Sequence, residues 1–199
     1  DTTYWHSLGI SFDQRQRNFI ANTYEVYWTV SARGLIERML HEHQAFWTDK
    51  RKQLANEIGL SPQKAGILAS IVERESKMVD EQPRIAGVYI NRLRRGQRLQ
   101  ADPTVKYAVG DFGLRRILRR HLFTDSPYNT YRHDGLPPGP ICNPSVSALK
   151  AVLNFERHDY YYFVAKNDFS GYHIFSKTYR EHKKKASEYH QRLNEMNIK

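Results

Sequence analysis

Two glutamates set two residues apart, in Ala69-Ser70-Ile71-Val72-Glu73-Arg74-Glu75-Ser76, are the side chains of this sequence best suited to proton transfer. On a helix, at ~100° per residue, Glu75 falls on the face of Leu68, Ile71 and Val72, whereas Glu73 falls with Ala69, Ser76 and Lys77. A carboxyl at the end of an apolar stripe loses water, which penalises its charged form and raises its pKa. Held neutral near neutrality, such a group is a general acid of the kind that cleaves glycosidic bonds. The plain alternative is a pair of helix-surface glutamates bonded to Arg74, Lys77 or Arg84, and the spacing alone does not separate the two readings.

A second constellation lies in Leu99-Gln100-Ala101-Asp102-Pro103-Thr104 and Ser126-Pro127-Tyr128-Asn129-Thr130-Tyr131. Asp102 can be read as a helix N-cap, and Tyr128 and Tyr131 as core tyrosines with bonded hydroxyls. The functional reading of the same residues is a sugar groove, with planar faces for pyranose rings and amides and hydroxyls for their substituents. Cys142, the one cysteine, sits beside a Pro/Gly loop with no histidine placed by a recognisable motif, so it reads as a packed thiol and not a nucleophile. The nine histidines show no metal-ligand spacing, so neither a metal nor another cofactor is expected. His43 reads as a partly buried helix residue and His173 as a groove-facing one.

These residues need a scaffold, and the hydrophobic pattern supplies one. Residues 1–30 carry Tyr4, Trp5, Phe12, Phe19, Tyr24, Tyr27 and Trp28 in short alternating stretches, read as strands or extended chain packing on the rest. From Ser31 the period becomes helical, through Leu35, Met39, Leu40, His43 and Phe46, then on past Leu54 and Ile58 to Gly59. Ser61-Pro62 opens the helix that carries Glu75, Gln82-Pro83 opens another that ends at Gly96, and Asp102-Pro103 starts a short one that ends by Gly110. Residues 111–143 form a long ordered loop, and Asn143-Pro144 caps a further helix. Residues 160–164 and 172–175 read as a hairpin whose sheet partners include the N-terminal strands, and Thr178-x-x-Glu181 is a capping box before a polar, basic helix. The fold class is α+β, a helical core with a small antiparallel hairpin lobe. The chain divides into an extended segment, 1–30, and a catalytic unit, 31–199.

Ile71-Val72-Glu73-Arg74-Glu75-Ser76, Asn91-Arg92-Leu93, Leu99-Gln100-Ala101-Asp102-Pro103-Thr104, Ser126-Pro127-Tyr128-Asn129-Thr130-Tyr131, Gly135-Leu136-Pro137-Pro138-Gly139-Pro140-Ile141, Asn143-Pro144 and Tyr162-Phe163-Val164-Ala165 occur in that order. In this ordered set the chain resembles the catalytic domain of the endolytic murein transglycosylase (MltG, YceG-like) family over roughly residues 60–195, with Asn22-Thr23-Tyr24 similar to the segment before the helical part. The resemblance implies cleavage of the bond between N-acetylmuramic acid and N-acetylglucosamine within peptidoglycan strands, without water, leaving 1,6-anhydromuramoyl ends. One glutamate is then acid and base in turn, because the nucleophile is the substrate's own C6 hydroxyl. Glu75 takes that role, since it lies on the apolar face and Glu75-Ser76 resembles the Glu-Ser pair of other lytic transglycosylases. Glu73 is then structural, with Asp102 also supporting the site.

By the same resemblance Tyr128 bonds Glu75 and Asn129 faces an N-acetyl group. Gln100, Thr104 and Tyr131 are further substrate-binding candidates. Peptidoglycan strands are the implied partner, peptidoglycan synthases are neighbours of the family, and the implied location is the extracytoplasmic face of the bacterial membrane. A chain that starts at Asp1 without an initiator Met reads as a fragment or processed form, with the family's membrane anchor absent from it.

Composition narrows the classes. The 199 residues carry 31 Lys and Arg against 21 Asp and Glu, a formal charge of +10, and 40% of them are hydrophobic, so this is a basic chain with enough apolar content for a core. No run approaches the ~18 apolar residues of a membrane span. The basic groups Arg92/Arg94/Arg95/Arg98, Arg115/Arg116/Arg119/Arg120 and Lys183–Lys185 are not interleaved with aromatics, which disfavours nucleic acid and suits a solvated face or polyanionic wall polymers. The competing functional class is a peptidoglycan-binding module that keeps the groove without turnover.

Overall fold

A computed structural model describes residues 2–11, 15, 17–114 and 116–196. The catalytic candidate sits at the end of a helix whose inner face is fully buried, and that helix is set by its first turn. In α4 (Pro62–Glu75) the Ser61 hydroxyl accepts from the Lys64 amide and Pro62 occupies the first turn, where its missing N–H costs nothing. Ala65, Leu68, Ala69, Ile71 and Val72 are fully buried along its inner face. Against them pack α5 (Gln82–Arg94), α6 (Asp102–Val109) and α7 (Val146–Leu153), and α2 (Ala32–Phe46) and α3 (Asp49–Glu57) precede this core. Phe46 and Trp47, at the end of α2, join the same apolar cluster.

Close approach is built into α5. A Cβ on Gly87 would lie 2.4 Å from the Glu156 carbonyl oxygen and 2.6 Å from His158 Nε2, so only glycine lets the 156–158 segment cross the helix there. The long loop is stapled to α4 by Ser70, whose buried hydroxyl donates to the Ile67 carbonyl at 2.7 Å and accepts from the Ile141 amide at 3.0 Å.

After α7 the chain forms an antiparallel hairpin, β1 (Tyr162–Ala165) and β2 (His173–Ser176), with Phe163 opposite Phe175 and Ala165 opposite His173. Helix α8 (Tyr179–Glu195) follows through the capping box of Thr178 and Glu181 and lies against both strands.

Three expectations need correction. Among its described residues the N-terminal segment is not a set of strands: it holds a helix, α1 (Thr2–Ser7), and its strand-like contact is an isolated bridge from Ala21 to Ser145. It is held by aromatic packing, with Trp5 buried and edge-on to Phe19 at 5.9 Å, so the sheet among the described residues has β1 and β2 alone. Phe12 lies outside the described residues. The caps also shift by a residue or two, because Ser145 and not Asn143 caps α7, and Ala101 precedes α6 with Asp102 as its first residue.

Candidate active site

Glu75 ends α4, where the unpaired carbonyls of the last turn add negative potential to the loss of water. Its half-buried side chain has a carboxyl packed deeply enough to push its pKa up to about 8, with burial as the main cause. The Tyr89 hydroxyl on α5 donates to Glu75 Oε1 and pulls in the opposite direction. The nearby Asp102 charge pushes the pKa up further, and Arg92 opposes it. Glu75 is therefore mostly protonated at neutral pH.

Asp102 is the second carboxyl of the site. It accepts a hydrogen bond from the Tyr131 hydroxyl at 2.6 Å, and its own pKa is raised by burial against that bond. Behind it, the fully buried Asn129 uses its amide nitrogen on the Leu122 and Thr124 carbonyls and its oxygen on the Tyr131 amide at 3.1 Å. Asn129 thus holds the loop that aims Tyr131, and a fully buried amide with these bonds does not face a sugar.

Other candidates also find different work. Glu75 is bonded by Tyr89, not by Tyr128; the Tyr128 ring packs on Tyr107 at 4.7 Å under the Gly139 turn. Thr104 is fully buried, donating to the Ala101 carbonyl at 2.7 Å and sharing a 2.8 Å hydroxyl contact with Thr130. Gln100, with a left-handed φ of 50°, does line the cleft. Glu73 accepts from the hydroxyl and amide of Ser145 and ties α4 to the start of α7. Cys142, its thiol 3.4 Å from the Ser70 carbonyl, has its pKa raised to about 11 mainly by burial, which leaves it unreactive near neutrality.

Glu75 and Asp102 stand where two open cavities meet, one of about 500 Å³ and one of about 600 Å³, and Tyr189 and His190 of α8 line both. The first holds the cations Arg74, Lys106 and Arg116 among apolar side chains that include Tyr107, Phe112 and Leu193. The second is aromatic, with Tyr131, Tyr162, Phe163 and Tyr179, and it includes His173. There His173 Nδ1 lies 2.7 Å from Glu81, whose other oxygen accepts the His173 amide at 2.9 Å. Arg92, grouped in the sequence with surface arginines, is buried instead and bonds the Tyr161 and Leu99 carbonyls at 2.6 and 2.8 Å.

Sequence reasoning missed Tyr89 and the part played by α8. The signal for the first was a tyrosine within an apolar helix face, whose buried hydroxyl needs a partner. For α8 it was the spacing of His182, Ala186, Tyr189 and Leu193, one stripe of a helix otherwise rich in charge.

The sequence pattern of the YceG-like family matches residues 8–188. A protein of Bacillus subtilis (strain 168) named endolytic murein transglycosylase is 38% identical over 166 residues, 83% of this chain and 45% of that protein. A protein of the same name from Streptococcus pneumoniae serotype 2 (strain D39) is 39% identical over 102 residues, 49% of this chain and 18% of its own length. The crystal structure of a YceG-like protein from Listeria monocytogenes aligns with a TM-score of 0.74 at 37% identity, covering 84% of this chain and 54% of that one. The chain thus spans less than half the length of both named relatives.

Proposed function

The chain belongs to the YceG-like family, and from that premise we propose that it is a lytic transglycosylase that cuts peptidoglycan strands internally between N-acetylmuramic acid and N-acetylglucosamine. The observation that carries this reading is the place of Glu75, a carboxyl buried enough to favour its neutral form, where two open cavities meet and can take a strand on either side, as a cut within a long strand requires. Glu75 gives its proton to the glycosidic oxygen as the bond from that oxygen to the muramoyl anomeric carbon breaks. The resulting carboxylate takes the proton of the muramoyl C6 hydroxyl as that oxygen bonds the anomeric carbon. The products are a new N-acetylglucosamine hydroxyl and a 1,6-anhydromuramoyl end; no water is consumed and Glu75 is again protonated. Tyr89 holds one carboxyl oxygen, leaving the other for the proton, and Asp102, fixed by Tyr131, helps keep Glu75 protonated. Synthases that make the strands, and a membrane anchor on the extracytoplasmic side, belong to the same proposal.

Asp102 beside Glu75 favours one second reading, hydrolysis of the same bond by a carboxyl pair. Mass spectrometry of uncrosslinked strands incubated with the protein separates the two. Anhydro ends lost with Glu75→Gln and kept with Glu73→Gln support the proposal. Hydrated ends identify a hydrolase, and binding without cleavage identifies a binding module.

A further inference from the structure

We infer that the basic half of the groove is a subsite for the carboxylates of the strand's peptide substituents, and that it sets which glycosidic bond lies at Glu75. The inference rests on the proposed substrate and names the part of it that each half receives. Arg74, Lys106 and Arg116 line one half, from α4, α6 and the loop after α6, and none of the three forms an ion pair among the described residues. Arg92 in the other half is spent on backbone carbonyls. The glycan itself brings rings and neutral hydroxyls, which suit the aromatic half. Anions enter with the short peptides carried on muramic acid, which combine carboxylates with small aliphatic side chains. The basic half offers both complements, three cations set among Tyr107, Phe112 and Leu193.

Register follows from chemistry. Muramic acid recurs at every second sugar, so a carboxylate held at a fixed distance from Glu75 places the two kinds of glycosidic bond differently with respect to the acid. A groove that read only sugar rings would accept a strand shifted by one residue. The cationic half rejects that shift, because it would put the peptide where no cation waits.

The test uses two tetrasaccharide strands of identical sequence, one with free peptide carboxylates and one with those carboxylates amidated, titrated calorimetrically into the Glu75→Gln protein. The free-carboxylate strand should bind about tenfold more tightly at low salt, and 0.5 M salt should remove most of the difference. Lys106→Gln combined with Arg116→Gln should bring the ratio of the two affinities close to one, with the thermal midpoint unchanged. Equal affinity for the two probes, a preference that survives the double substitution, or binding of neither probe overturns the subsite. Failure of the parent reading looks different: the wild-type protein leaves no anhydro ends while the preference for free carboxylates persists.

Discussion

Helices α4 and α8 face the same groove and are built in opposite ways. From Ala65 to Val72, α4 buries nearly every residue, whereas α8 buries only Leu193 along its 17 residues. Glu75, the proposed acid, is thus carried by the buried core, and the opposite wall of the groove is carried by a solvated helix on a two-stranded hairpin, an arrangement that suits a fixed reacting group facing a variable polymer. On the proposed function, reaction chemistry is assigned to the first helix and substrate fit to the second.

The largest effect should come from Glu75→Gln, which keeps the shape of the site and removes the transferable proton. Strand cleavage should fall by about 10²–10⁴-fold, measured as anhydro ends formed per minute. Tyr89→Phe should come next, with a loss of roughly tenfold from one bond to a group that becomes charged. That bond lowers the Glu75 pKa, so the decline of kcat/KM, expected above about pH 8 as Glu75 loses its proton, should move to higher pH in the variant. A loss without that movement would leave Tyr89 a packing residue only.

A separate effect should appear in stability. Glu75 is raised from 4.5 to about 8, so its neutral form favours the fold fully below pH 4.5, and that contribution is lost as pH rises through about 8. Denaturant midpoints of the wild type should decline across this window, and Glu75→Gln should flatten the decline. The smallest effect belongs to α8. Tyr189→Leu should leave the thermal midpoint nearly unchanged and raise KM a few-fold, since Tyr189 lines both cavities and α8 holds little of the core. If Tyr189→Leu lowers kcat as much as Tyr89→Phe does, the division of labour between the two helices fails.

Much of the helical frame was legible because local chemistry marked it. Ser31, Ser61-Pro62, Gly110 and the Thr178/Glu181 box all sit where the helix ends fall. Glu75's place at the end of the apolar face was readable from helical period alone, whereas Glu73's bond to Ser145, far along the chain, was not. The N-terminal segment misled because alternating aromatics suit a strand, whereas Trp5 is buried from a short helix by tertiary packing. The Tyr89 bond to Glu75 was not legible, since it depends on how α5 packs on α4, and the burial of Asn129 was not, since it depends on how the long loop folds back on its own Leu122 and Thr124 carbonyls.

Gly87 lies two positions before Tyr89, ~200° around the same helix, so the two residues point to nearly opposite sides of α5. The missing side chain therefore works as a fulcrum: the 156–158 segment presses on the back of the helix at the level where its front aims a hydroxyl at the acid. A methyl group at that point has no room, so either the 156–158 segment or the helix that carries Tyr89 must give way. Gly87→Ala would in this sense act as a remote control, reaching the proposed acid through the helix while every side chain lining the two cavities stays chemically intact.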